Sequence, residues 1–78
     1  MNSTKKTVYE VIREINSDIL AYSGDNLLAD GIADSFEIVD IVLALEDALH
    51  IEIDSEDVIA DNFANLDTIL SLVNRYMS

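Results

Sequence analysis

Apolar residues return at helical steps in several stretches of the chain. Val8, Ile12, Ile15 and Ile19 follow one another at intervals of four, three and four residues. That spacing predicts one stripe of a helix running from about Thr4 to Ala21, which Ser3 or Thr4 can cap. A second helix is predicted from Ser35 to about Leu49, where Ile38, Ile41, Val42, Leu45, Ala48 and Leu49 make a broad apolar face. At about 100° per residue, Glu37, Asp40 and Asp47 fall together on another face. Asp34 and Glu37 have the spacing of a capping box, with Asp in place of the usual Ser or Thr. A short third helix is predicted from about Ser55 to Ala60, capped by Asp54 or Ser55, and Glu56 and Asp57 suit its positive end. The last helix runs from about Leu66 to Tyr76, with Leu66, Ile69, Leu70, Val73 and Met77 as its stripe and Asn65 as its cap. The run "IEID" after the second helix is too short and too acidic to support a sheet alone. The expectation is an all-α chain with three main helices and one short one.

The connection between the first two helices is long for a chain of 78 residues, which by length is a single domain, 1–78. It is bracketed by Gly24 and Gly31, the only glycines, and there is no proline. Long loops in small domains are more often functional than idle. This one ends at Ser35.

Charge changes the picture. Asp and Glu number 16 against 4 Lys and Arg, a formal net charge of -12. Half of the residues are hydrophobic, so the chain has material for a core as well as an acidic surface and does not read as disordered. Phosphate backbones would be repelled, which argues against nucleic acid as a partner. The acids concentrate between Asp25 and Asp61, and no Lys or Arg lies between Arg13 and Arg75. Such a run is either a solvated surface or a surface that docks on basic patches of other proteins. The absence of cysteine removes disulfides and thiolate metal sites and is compatible with a reducing compartment. No segment reads as a secretory signal or a membrane span, so a cytoplasmic monomer is expected.

Ser35 follows an aspartate and opens the second helix. A nucleophilic serine needs a base within hydrogen-bond reach. The one histidine, His50, is fifteen residues away. At the two ends of a helix the pair would be ~22 Å apart. Neighbouring carboxylates offer no oxyanion stabilisation. A small hydrolase is therefore the weakest reading, and His50 suits a helix C-terminus. The run "DNLLADG" lacks the alternating carboxylates of an EF-hand loop, so no metal site is expected. Taken alone, Asp34-Ser35 reads as a helix cap.

The stretch "DGIADSFEIVDIVLALEDALHIEID", residues 30–54, resembles the acyl carrier proteins. The resemblance implies a four-helix bundle with three main helices, one short helix and a long loop between helices one and two. It implies that Ser35 carries a 4'-phosphopantetheine arm, donated from coenzyme A by a separate phosphopantetheinyl transferase, with Asp34 part of what that enzyme recognises. The arm's thiol would hold acyl groups as thioesters for the partner enzymes of fatty-acid, polyketide or related synthesis. The chain would be a phosphoprotein by virtue of the arm, and no enzyme itself. On the same resemblance, Glu37, Asp40, Glu46 and Asp47 are acids offered to basic surfaces of transferases, synthases and ligases, and Phe36, Val39 and Leu43 are the apolar contacts between them. Leu45, Val58 and Ile59 can shelter an acyl chain or simply fill the core.

The run departs from the fatty-acid pattern Leu-Gly-x-Asp-Ser-Leu: it reads "DGIADSF", with glycine one place further from the serine and Phe36 in place of leucine. That is similar to specialised carriers, including the D-alanyl carrier and stand-alone carriers of polyketide or peptide pathways; an aminoacyl or D-alanyl carrier forms the alternative. A second alternative is an acidic helical interaction module with no prosthetic group, in which Ser35 acts only as a cap.

Overall fold

The computed structural model describes residues 3–77. Helix α1 spans Ser3–Asn16, α2 Asp18–Ala21, α3 Ser35–Leu49 and α4 Leu66–Met77. Two 3-10 turns, Ser55–Asp57 and Ala60–Phe63, lie between α3 and α4, and no strand occurs among the described residues. The four helices pack as an all-helical body with extents of 30 × 27 × 17 Å, consistent with a helical bundle.

The predicted stripes meet in one core. Val8 and Ile12 of α1, Ile19 of α2, Ile38, Ile41, Val42 and Leu45 of α3, and Ile69, Leu72 and Val73 of α4 are all buried. Leu27, Ala33, Ile53 and Phe63 join them from the connections. Each large apolar side chain withdrawn from water in this way contributes roughly 1.5–3 kcal/mol before chain entropy is counted. Leu72 lies on the same face of α4 as Ile69 and Val73, although the predicted stripe omits it. Met77, predicted in that stripe, is exposed, as is Ala48 on α3.

The helix predicted from Thr4 to Ala21 is divided at Ser17. Asn16 Oδ1 accepts the Asp18 N–H at 3.1 Å, and the Leu20 N–H closes a tighter turn onto Ser17 O. A side chain that takes a backbone donor in this way competes with the helix ladder. Ser3 and Thr4, predicted as caps, lie inside the first turn of α1. The position before them, residue 2, is outside the described residues.

The short helix predicted from Ser55 to Ala60 is replaced by the two 3-10 turns. Asp54 caps the first of them, accepting the Glu56 N–H at 2.9 Å. Asn62 Nδ2 then donates to Asp57 O, and Tyr76 Oη from α4 donates to Asp57 Oδ2 and accepts the Asp54 N–H. Val58 and Ile59 run out of helical conformation between the turns, which suits two β-branched residues. The second turn delivers Phe63 to the core.

The long loop, residues 22–34, is tied down along its length. Tyr22 Oη donates to Asp30 Oδ2 and accepts the Asn26 N–H. Leu27 is fully buried; its N–H donates to Ala64 O, and its carbonyl accepts from Ile32 and Ala33. Asn65 Nδ2 donates to Gly24 O at 3.0 Å, while Asn65 Oδ1 caps α4 by accepting the Thr68 N–H. An added Cβ at Gly24 would crowd the Tyr22 ring, so a larger residue there would have to displace the hydroxyl that holds Asp30 and Asn26. Gly31 adopts a φ of 72°, the left-handed turn that brings the chain back towards α3.

Candidate functional site at the mouth of α3

The loop delivers Asp34 in extended conformation as the N-cap of α3, and Ser35 is the first helical residue. The predicted capping box forms. Asp34 Oδ1 accepts the Glu37 N–H at 2.8 Å, and Glu37 Oε1 accepts the Asp34 N–H at 3.3 Å. Capping is therefore the work of Asp34, not of the serine. Ser35 is exposed, and its hydroxyl has no hydrogen-bond partner among the described residues. Ser35 stands at the positive end of the α3 dipole, where the first N–H groups lack intrahelical partners; this favours a phosphate, and the neighbouring Asp34 and Glu37 carboxylates oppose it in part.

Beside Ser35 lies a small cavity of about 140 Å³. Its apolar wall comes from Leu28 of the loop, Ile38 of α3, and Val58, Ile59 and Phe63 of the turn region. Of the three residues named as a shelter for an acyl chain, Val58 and Ile59 line this cavity. Leu45 does not; it is fully buried in the core. A larger hollow of about 370 Å³ along α4, lined by Asp61, Asn65, Thr68 and Arg75 among others, does not include Ser35.

Phe36, Val39 and Leu43 stand on the outer face of α3, 81, 51 and 58% exposed. At about 100° per residue they form a stripe directly opposite Ile38, Ile41, Val42 and Leu45. Asp40 and Asp47 lie on the same outer face and are exposed. The other two predicted docking acids have internal duties. Glu37 closes the capping box, and Asn16 Nδ2 also donates to its Oε1 at 3.3 Å. Glu46 accepts the Ile53 N–H at 2.8 Å and so holds the chain that leaves α3. Sequence spacing groups these four acids, but tertiary contacts divide them into two surface charges and two tethers.

His50 ends α3 in the left-handed conformation, with φ of 55°. Its N–H donates to Glu46 O. It stands at the far end of α3 from Ser35, ~22 Å along the axis at 1.5 Å per residue, and cannot deprotonate it. No group of three or more His, Cys, Asp or Glu among the described residues is placed to hold a metal ion. No helix among them is long and apolar enough to cross a membrane.

Two tyrosines fasten the segments on either side of the site, and both have perturbed acidities. The hydroxyl of Tyr22 is held above its ordinary value of 10.0, first because its proton is donated to Asp30 and then by partial desolvation. Tyr76 is raised in the same way, first by its bond to Asp57. In each case ionisation would remove the donor and set two negative charges side by side.

In comparisons with protein-family models, curated proteins and solved structures, none matches this chain.

Proposed function

We propose that this chain is an acyl carrier protein that bears a 4'-phosphopantetheine arm on Ser35. The observation that carries the reading is the division of roles at the mouth of α3: Asp34 caps the helix, and Ser35 is left exposed with an unengaged hydroxyl. A serine kept only as a cap would hold the Glu37 N–H itself. In the second alternative, an acidic interaction module with no prosthetic group, Ser35 would be an idle surface residue, because Asp34 does the capping.

In the attachment reaction the transferase supplies what the chain lacks. The Ser35 oxygen forms a bond to the phosphorus next to the pantetheine of coenzyme A. The pyrophosphate link breaks, the nucleotide half leaves, and the serine proton passes to a base on the transferase. The chain's own part is to present the hydroxyl, to favour the phosphodiester with the positive end of α3, and to offer a docking face. That face is the Phe36, Val39 and Leu43 stripe with Asp40 and Asp47. Apolar contact there gives adhesion, and the acids steer a basic partner and keep the encounter quick to release. The arm's thiol then holds acyl groups as thioesters.

The run Gly31-Ile32-Ala33-Asp34-Ser35-Phe36 favours a specialised carrier, and an aminoacyl or D-alanyl cargo is the second reading. Incubation with coenzyme A, magnesium and a promiscuous phosphopantetheinyl transferase should add the mass of one arm to the wild type and none to Ser35→Ala. Failure to gain mass under conditions that load a control carrier would overturn the proposal. Offering the loaded protein to fatty-acyl and amino-acid-activating ligases then separates the two cargo classes.

A further inference from the structure

Asn16 ends α1, yet its side chain reaches the segment around Ser35, which is 19 positions further along the chain. Its Nδ2 donates to Ile32 O at 2.7 Å and to Glu37 Oε1 at 3.3 Å. The two acceptors flank the serine, one three residues before it and the other two residues after it. The Glu37 oxygen that Asn16 holds is the same atom that accepts the Asp34 N–H. A continuous relay therefore runs from Asn16 through Glu37 to Asp34, the residue bonded to Ser35. Asn16 Oδ1 is spent on the Asp18 N–H, which fixes the amide's orientation and aims its NH₂ at the site. The other ties of the loop, from Tyr22, Ala64 and Asn65, act on residues 24–30 and leave the last residues before the serine to Asn16 and to Leu27 O.

We infer that Asn16 is a positioning residue for Ser35: it locks the carboxylate of the capping box and the loop's last turn to α1, and so sets the attitude in which the serine meets the transferase. This inference rests on the carrier reading for its consequence, though not for its geometry. Without the Nδ2 donor, Ile32 O loses a partly buried partner, and Glu37 can leave Asp34 for solvent. The loss acts through Glu37 and not through the helix end, because an aspartate at position 16 would still accept the Asp18 N–H.

Asn16→Asp is the informative change. It keeps size and the Oδ1 acceptor but turns an oxygen towards the Glu37 carboxylate and the Ile32 carbonyl. It is compared in two backgrounds, wild type and Glu37→Gln. In the second background the introduced glutamine amide can donate to the new carboxylate at position 16 and still accept the Asp34 N–H. Amide hydrogen exchange at Asp34, Glu37 and Ile38, the bonded amides of the capping box, is read against the core amides of Leu45 and Leu72, which report any general loosening of the fold. Relative to those, Asn16→Asp should speed exchange at the three site amides by about fivefold in the wild-type background and by less than about twofold in Glu37→Gln, a coupling of ordinary size for two residues in one network. In the loading assay the same pattern should appear in the transferase KM, with kcat little changed. Equal acceleration in both backgrounds, or none in either, overturns the inference. Coupled exchange in a protein that never accepts an arm would leave Asn16 as a positioning residue and sink the carrier reading instead.

Discussion

Asp34 Oδ1 receives the Glu37 N–H at 2.8 Å, and by taking that bond it releases Ser35 from capping. The two adjacent residues should then respond oppositely to truncation. Asp34→Ala should lower unfolding free energy by about 1 kcal/mol, the usual loss for a cap. Ser35→Ala should stay within about 0.5 kcal/mol of wild type, as a surface change with no bonded partner. Denaturant titration of both variants checks the difference. A large loss in Ser35→Ala would return the serine to a structural role.

The outer stripe of α3 should be energetically idle in the free protein. Phe36→Ala and Leu43→Ala remove side chains that are already in water, so stability should move by less than about 0.5 kcal/mol. Leu45→Ala, on the opposite face, should cost about 2–5 kcal/mol. The outer pair should instead raise the KM of the transferase reaction. Melting curves and loading kinetics on the same three variants make the comparison, and unchanged kinetics in Phe36→Ala would place the docking face elsewhere.

His50 holds a left-handed conformation that glycine adopts without strain. Replacing it with glycine should stabilise the fold by about 0.5–1 kcal/mol, the strain relieved exceeding the added freedom of the unfolded chain. His50→Ala should bring no such gain. Denaturant midpoints for the two substitutions settle the matter, since any benefit common to both would come from loss of the imidazole and not from the backbone.

Alkali should loosen the protein through its two tyrosine clamps. Tyr22 and Tyr76 are raised from 10.0 because each neutral hydroxyl donates to an aspartate. A raised folded-state pKa means that the unfolded chain gives up its proton first. The stabilisation is therefore complete below pH 10.0 and is lost as pH climbs through the higher folded values. Unfolding free energy followed from neutral pH to above that range should fall for the wild type. The fall should be shallower in Tyr22→Phe and Tyr76→Phe, and shallowest in the double variant. A double variant with the full alkaline slope would show that other groups cause it.

Much of this arrangement is legible in local sequence. The capping pair Asp34 and Glu37, the Asn65 cap of α4 and the stripes of α1, α3 and α4 depend on residues within a turn or two of each other, and spacing captures them. What escapes is set by partners far along the chain. The break at Ser17 follows from an Asn16 side chain whose other bonds lie beyond residue 31, and nothing in "EINSDIL" announces them. The first of the two turns that replace a short third helix is held by Tyr76, 19 residues beyond Asp57. Glu46 looks like surface charge in a pattern of acids, and only the fold reveals that it anchors Ile53 and that Asn16 reaches the Glu37 of the cap. Leu27 and Phe63 sit outside any helical stripe, and their burial depends on how the connections fold back. Their one signal is a large apolar residue directly after an asparagine in a connection.

The bond from Asn65 to Gly24 O and the bond from Leu27 to Ala64 O join the segment leading to the serine with residues that the ribosome adds some forty positions later. A nascent chain cannot hold the serine in its finished setting until those later residues are also clear of the ribosome. Translation order thus supplies a timer: an enzyme that requires the completed surface meets it only once the closing helix has begun to form.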